Sequence, residues 1–129
     1  MKPAALSRGG LVVLSLHSPR EKFWGKLLAI LPAGAIVRGL ALDVFDDWLR
    51  QERGAAERMI APTTVFFPMG RVERIEGDES VGPIRSFGER FAAAVGRSAV
   101  WSLGARAYRA SDSRSSRGTT GTKTAGTKR

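Results

Sequence analysis

The segment PTTVFFPMGRVERIE (residues 62–76) begins as a strand and then breaks. Thr63, Thr64, Val65, Phe66 and Phe67 are all β-branched or aromatic, types that suit a pleated, half-buried surface. Pro68, Met69 and Gly70 interrupt the run, and a charged stretch carrying Val72 and Ile75 follows. Three apolar runs precede it. GLVVLSLH (10–17) reads as a buried strand. KFWGKLLAIL (22–31) reads as a second, with Gly25 marking a bend or bulge. AIVRGLAL (35–42) reads as a third, supported by the β-branched pair Ile36 and Val37. SPRE (18–21) and PAG (32–34) supply the turns. So few strands must bend sharply to close on themselves, and glycine or bulge positions permit it. Gly25 and the corner at Pro68 and Gly70 therefore predict a small bent-strand barrel, mainly β within the α+β class. The plainer alternative is an ordinary loop between two strands of a sheet.

A short helix is expected between the third run and the corner. Asp43 is its N-cap candidate, and Asp46 and Asp47 lie in the first turn, where carboxylates favour the positive dipole end. Val44, Phe45, Trp48 and Leu49 form one apolar stripe. Arg50 and Arg53 occupy the last turn, and Gly54 is placed to close it in the left-handed conformation. Residues 54–62 read as a loop or a short second helix. A C-terminal helix is expected over 86–96, where Phe87, Phe91 and Val95 fall four apart, with Ser86 as N-cap and Glu89 three later. Residues 98–108 could extend it, although Gly96 and Gly104 interrupt the pattern.

The net charge of +9 is unevenly held. Residues 10–80 carry nine Lys and Arg against ten Asp and Glu, a net −1. Lys2 and Arg8 add two, and residues 81–129 hold the remaining +8. A near-neutral body thus carries a basic tail, and the overall charge is no sign of a nucleic-acid-binding fold. Residues 109–129 contain only Ser, Thr, Gly, Ala, Arg, Lys and one Asp, too little apolar surface to offset the entropy of ordering. Disorder is expected there and over 1–9, leaving a domain over 10–97 and a helical extension over 98–108.

The absence of cysteine excludes disulfides, thiolate metal sites and cysteine nucleophiles, and suits a reducing compartment. No apolar stretch approaches the ~20 residues of a membrane span, and the run at 11–16 is too short for a signal-peptide core. These features read as a cytoplasmic protein. His17 is the single histidine, and a strand-end position at the surface is its plain reading, with pairing to Asp46 or Glu21 as the alternative. Asp43, Asp46 and Asp47 could hold Mg²⁺ through oxygen ligands alone, yet capping and dipole roles explain them fully. Arg71, Glu73, Arg74 and Glu76 read as cross-strand or solvated pairs. No Gly-rich phosphate loop opens a helix, and no nucleophile stands with a base. No enzyme, no metal and no cofactor are expected.

Phe23, Trp24, Phe66 and Phe67 could form a stacking platform for bases, with Arg20, Lys22, Lys26 and Arg71 tracking phosphate. Strand alternation turns one ring of each adjacent pair away from the barrel interior. Such a ring either meets a ligand or is buried under the helix by Val44, Phe45 and Trp48. At this point the chain resembles the Sm-like family, the Sm proteins and bacterial host-factor RNA chaperones. FWGKLLAI is similar to that family's apolar-x-Gly-x-Leu segment, with Gly25 and Leu27 as the matching pair, and TVFFPMGRVERI is similar to its closing strand pair. The chain departs from the family where Leu31 stands in place of an aspartate, in lacking the Asn and Lys-His signatures, and in the position of the helix at 43–53. The resemblance implies a small barrel that binds RNA and assembles into a homo-oligomer. The residues assigned to RNA are Lys22, Trp24, Lys26, Phe66 and Arg71, with Arg97, Arg106, Arg109, Arg114, Arg117, Lys123, Lys128 and Arg129 in the basic segment. A protein–protein adaptor whose tail binds polyanions nonspecifically is the alternative. Peripheral contact with anionic membrane through the basic segment 97–109 is a third reading.

Overall fold

The computed structural model describes residues 6–54 and 59–104. Strands β1 (Leu11–Leu16), β2 (Glu21–Leu31) and β3 (Gly34–Ala41) follow as a meander. Helix α1 (Phe45–Arg53) comes next, then β4 (Thr63–Pro68), β5 (Val72–Gly77), α2 (Phe87–Val95) and α3 (Ala99–Ser102). The five strands form one antiparallel sheet in the order β4-β3-β2-β1-β5. This is a small, mainly β domain of the α+β class.

The strand order and one short connection together dictate the sheet's shape. β4 and β5 are the outermost strands, yet only a 3₁₀ turn, Met69–Arg71, joins them. In a flat sheet they would lie four spacings apart, about 19 Å. A 3₁₀ turn of that length advances only about 6 Å. The sheet must therefore roll until its outer strands approach at this end. Two backbone bonds fix the approach. Met69 N–H donates to Ala33 O at 2.8 Å, and His17 N–H donates to Arg71 O at 3.0 Å. Ala33 and His17 lie beyond opposite ends of β2, which if straight would be about 33 Å long. β2 is therefore strongly bent. The corner at Pro68 is real, although Gly70 takes no left-handed φ and has open space around its Cα. No ladder joins β4 to β5 among the described residues.

Two bulges make the rolling possible. The register of β2 on β3 shifts between Leu27 and Ala29, and that of β1 on β5 shifts between Ser15 and Leu16. The first places the irregularity at Leu28, whereas the sequence pointed to Gly25. Gly25 instead lies directly opposite Gly39, where the two backbones come too close for any side chain. The second bulge explains Val72 and Ile75. Residues three apart fall on opposite faces of a regular strand, but here Val72 pairs with Leu16 and Ile75 with Leu14. Both therefore pack inward.

The rolled sheet carries a core on each face. Val12, Leu14, Leu16, Leu27, Ala35, Val37 and Phe67 fill the inside, with Phe23 edge-on to Phe67 at 4.9 Å. Val13, Trp24 and Leu40 line the outside beneath the helices, packed with Phe45 and Trp48 of α1, Phe91 of α2, and Ala99 and Leu103. Trp48 stacks on Phe91 at 4.6 Å, and Trp24 meets Phe45 edge-on at 5.1 Å. The apolar stripe of α1 thus has its target.

The helix termini depart most from what the sequence predicts. Asp43 is not the N-cap of α1: it sits inside a 3₁₀ turn, Leu42–Val44, and Val44 takes the cap position without a side-chain bond. Gly54 ends α1 at φ −115° and ψ −164°, extended rather than left-handed, its N–H still donating to Arg50 O. The chain leaves α1 straight, so no left-handed residue is needed. α2 behaves as its sequence predicts: Ser86 Oγ accepts from Glu89 N–H at 3.0 Å. It is closed by Gly96 in the left-handed region, at φ 88°. Ahead of β1, Gly9 N–H donates to Leu27 O and Leu27 N–H to Gly10 O, so pairing with β2 begins before Leu11. The expectations for residues 1–5, 105–108 and the tail, and that of a loop or second helix where it falls on residues 55–58, lie outside the described residues.

Candidate binding surface

Six of the residues assigned to RNA fall within the described part of the chain, and the fold gives them different surroundings. Trp24 is fully buried, its indole N–H donating to Asp78 Oδ2 at 3.1 Å. It has no face to offer a base, so its assignment to stacking is corrected: the helix covers the ring. Of the four aromatics considered for a platform, Phe66 alone is exposed, at 47%. Arg71 is a clasp. Its guanidinium donates to His17 O, to Pro19 O and to Glu21 Oε2, which ties the corner to the β1–β2 turn. Arg97 is held by Glu52 Oε1 at 2.5 Å and Ser102 Oγ at 3.1 Å. Lys22 is exposed and has no ion pair among the described residues. Arg106, Arg109, Arg114, Arg117, Lys123, Lys128 and Arg129 lie outside them.

Lys26 is the unexpected member. It is only 7% exposed, on the outer face between Leu11 and Arg38 in the cross-strand row, and burial lowers its ammonium pKa from 10.5. Its neighbour Arg38, half-buried, donates through Nε to Leu103 O at 2.8 Å, which ties this cationic row to the end of α3. The lowered pKa means that the unfolded chain holds this proton more tightly than the folded one. Stability from this group therefore rises as pH climbs through the folded pKa toward 10.5. Lys26→Met is expected to leave the melting temperature at neutral pH unchanged or raise stability by up to about 1 kcal/mol. The alkaline rise should flatten in parallel. A clear loss of stability at neutral pH would show that the ammonium has a favourable role.

Three other cations of the body are likewise engaged: Arg90 with Asp46 at 2.6 Å, Arg74 with Glu76 at 3.2 Å, and Arg50 with Asp47. A shallow groove of about 440 Å³ is lined by Arg20, Glu21, Lys22, Ala41, Leu42 and Asp43. Its two cations share it with two carboxylates, of which Glu21 is already paired with Arg71 at 2.9 Å. His17 Nδ1 lies 3.3 Å from Ser18 Oγ, but both groups are exposed neighbours on an open turn and no carboxylate among the described residues is bonded to the ring. Among the described residues no three His, Cys, Asp or Glu side chains converge as a metal site. No described helix is long and apolar enough to cross a membrane.

Several residues that organise this surface carried no sequence signal. Gln51 is buried and clamps the returning chain, accepting from Met59 N–H and Ile60 N–H and donating to Ile60 O. Asp78 joins β1, β2 and α2. Gly39 and Gly34 admit neighbouring backbone. Only the Gly-Asp pair 77–78, a turn dipeptide ahead of a helix, could have drawn attention to Asp78.

The chain matches no family model, no curated protein and no solved structure.

Proposed function

We propose that this chain is a non-enzymatic binding module of Sm-like type, which assembles through the edges of its rolled sheet and engages RNA. The observation that carries the reading is the pair of open edges. Among the described residues β4 and β5 each have a sheet neighbour on one side only, and they differ in character. TTVFFP has no charge, whereas VERIEG carries Glu73, Arg74 and Glu76. Unpaired N–H and C=O groups along such strands are templates for another chain. A β4 edge against the β5 edge of a second copy is a head-to-tail contact, which closes into a ring or extends into a filament. The RNA part of the reading is supported by exposed Phe66 and by the basic segment beyond Gly104. The engaged cations of the body favour the adaptor alternative, in which the tail alone attracts polyanions.

Light scattering at micromolar concentration tests the assembly: a discrete oligomer is expected, and a strict monomer would remove the Sm-like reading. Binding to A-rich, U-rich and mixed RNAs at two salt concentrations tests the ligand. The combined variant Arg114→Ser, Arg117→Ser, Lys123→Ser should reduce the logarithmic salt slope by up to about three, one for each phosphate that is no longer neutralised. Preference among the RNAs should survive in that variant. Equal affinity for all three RNAs in the unaltered chain would favour the adaptor.

A further inference from the structure

The helices cover only part of the outer face of the sheet. Beyond the row of Trp24 and Leu40, the row Ala29, Ile36 and Phe66 has no helix over it among the described residues. The Phe66 ring lies across Gly34, since a Cβ there would fall 2.7 Å from its Cζ, and Gly34 pairs with Leu31. Met69 is bonded to Ala33 in the same hairpin tip. Ile30, Leu31, Phe66 and Met69 are 52%, 42%, 47% and 36% exposed. Residues 27–37 and 59–70 contain no charged side chain, although 26% of the chain is charged. One rim of the molecule is thus apolar, exposed and uncharged.

Cations flank it. Arg71, two residues after Met69, is bonded to Pro19 O, which brings the β1–β2 turn with exposed Arg20 and Lys22 beside the rim. The described chain ends at Gly104, next to Leu103, whose carbonyl is bonded to Arg38. Arg38 is about 13 Å along β3 from the tip residue Gly34. Residues 105–129 follow, with seven Lys and Arg against one Asp. Twenty-five residues span up to about 80 Å, far more than that separation.

We propose that this rim docks on an anionic lipid surface, with the apolar tip among the headgroups and the flanking and C-terminal cations on lipid phosphates. Charge complementarity and chain length favour lipid over a second copy. The exposed tip side chains offer on the order of 400 Å², about half of what each partner of a stable protein interface buries. A bilayer needs no matching surface, and one weak apolar insertion joined to a polybasic segment is sufficient for stable attachment. This docking uses the tip and outer face, not the strand edges, and stands apart from the assembly proposed above.

The test uses the full chain and vesicles of phosphatidylcholine alone or mixed with phosphatidylserine. Because the chain has no cysteine, Leu31→Cys and Glu73→Cys can each carry a single environment-sensitive dye. Flotation with the mixed vesicles only is expected, together with a blue shift at position 31 and none at 73. The exposed-site variant Leu31→Asp, Met69→Asp should bind the mixed vesicles about tenfold or more weakly at an unchanged melting temperature. If that variant does not fold, the dye at position 31 decides alone. Vesicle binding without a shift at 31 would leave adsorption by the tail and overturn the proposal. So would a shift produced by RNA or by protein concentration in place of vesicles, which would assign the rim to RNA or to a second copy.

Discussion

Gly39→Val is expected to unfold the protein, or to lower its stability by more than about 4 kcal/mol, the range reached only when a special backbone position is violated. A β-carbon at residue 39 would lie 2.0 Å from Trp24 O, 2.6 Å from Gly25 Cα and 2.8 Å from Trp24 C. All three are backbone atoms of the adjacent strand, so no side chain can swing aside. The strands would have to separate at this pair, and the ladder that centres Trp24 under the helices would open with them. Gly25→Val should act almost as strongly, because its β-carbon meets Arg38 O at 2.3 Å. Gly70→Ala is the matched control: nothing lies within 4 Å and its φ is not left-handed, so its melting temperature should stay within a few degrees of the parent. Urea or thermal unfolding followed by tryptophan fluorescence reads all three. A Gly39→Val protein that melts near the parent would mean that the sheet is not rolled at this pair.

The second large effect belongs to Asp78. Its Oδ2 accepts from Trp24 Nε1–H at 3.1 Å and from Gly88 N–H at 2.8 Å, and its Oδ1 accepts from Phe87 N–H at 2.9 Å. Its own N–H donates to Leu11 O at 2.9 Å. One carboxylate thus satisfies the first amides of α2 and the indole of a fully buried tryptophan. Asp78→Ala removes every one of those acceptors and leaves the Trp24 indole N–H without a partner inside the core. A loss of about 2–4 kcal/mol is expected, from the unsatisfied donor together with the lost cap at the start of α2. Ser86→Ala, which removes a single capping bond, should cost only about 1 kcal/mol. Asp78→Asn keeps one acceptor and should fall between the two. Equal losses for Asp78→Ala and Ser86→Ala would reduce Asp78 to an ordinary cap.

Much of the fold is legible along the chain because it depends on local composition. The four strand-like runs are strands to within a residue or two at each end. The stripe of Phe45 and Trp48 forms a buried helix face, and Ser86 caps α2 through Glu89. The candidate surface is far less legible. Trp24 and Phe66 look alike in sequence, each an aromatic within an apolar run, yet one is sealed in the core and the other lies open. Arg71 and Arg97 look like free cations and prove to be clasps. Whether a ring or a charge is available depends on what packs above it, and that partner comes from elsewhere in the chain.

Which segments are strands, where α2 begins and where the chain turns a corner at Pro68 can all be read along the chain, since each follows from side-chain shape and hydrogen bonding among near neighbours. How those strands meet is a property of the packed molecule. A regular hairpin closed by Pro32 and Ala33, with Leu31 opposite Gly34, would set Gly25 against Leu40. One extra residue at Leu28 slides the pairing so that glycine faces glycine, and the sheet can roll. Likewise the bulge near Ser15 turns Val72 and Ile75 to one face. A bulge forms where the rolled sheet must stay filled on both faces. That requirement belongs to the packed assembly of all five strands and three helices, and no single segment carries it.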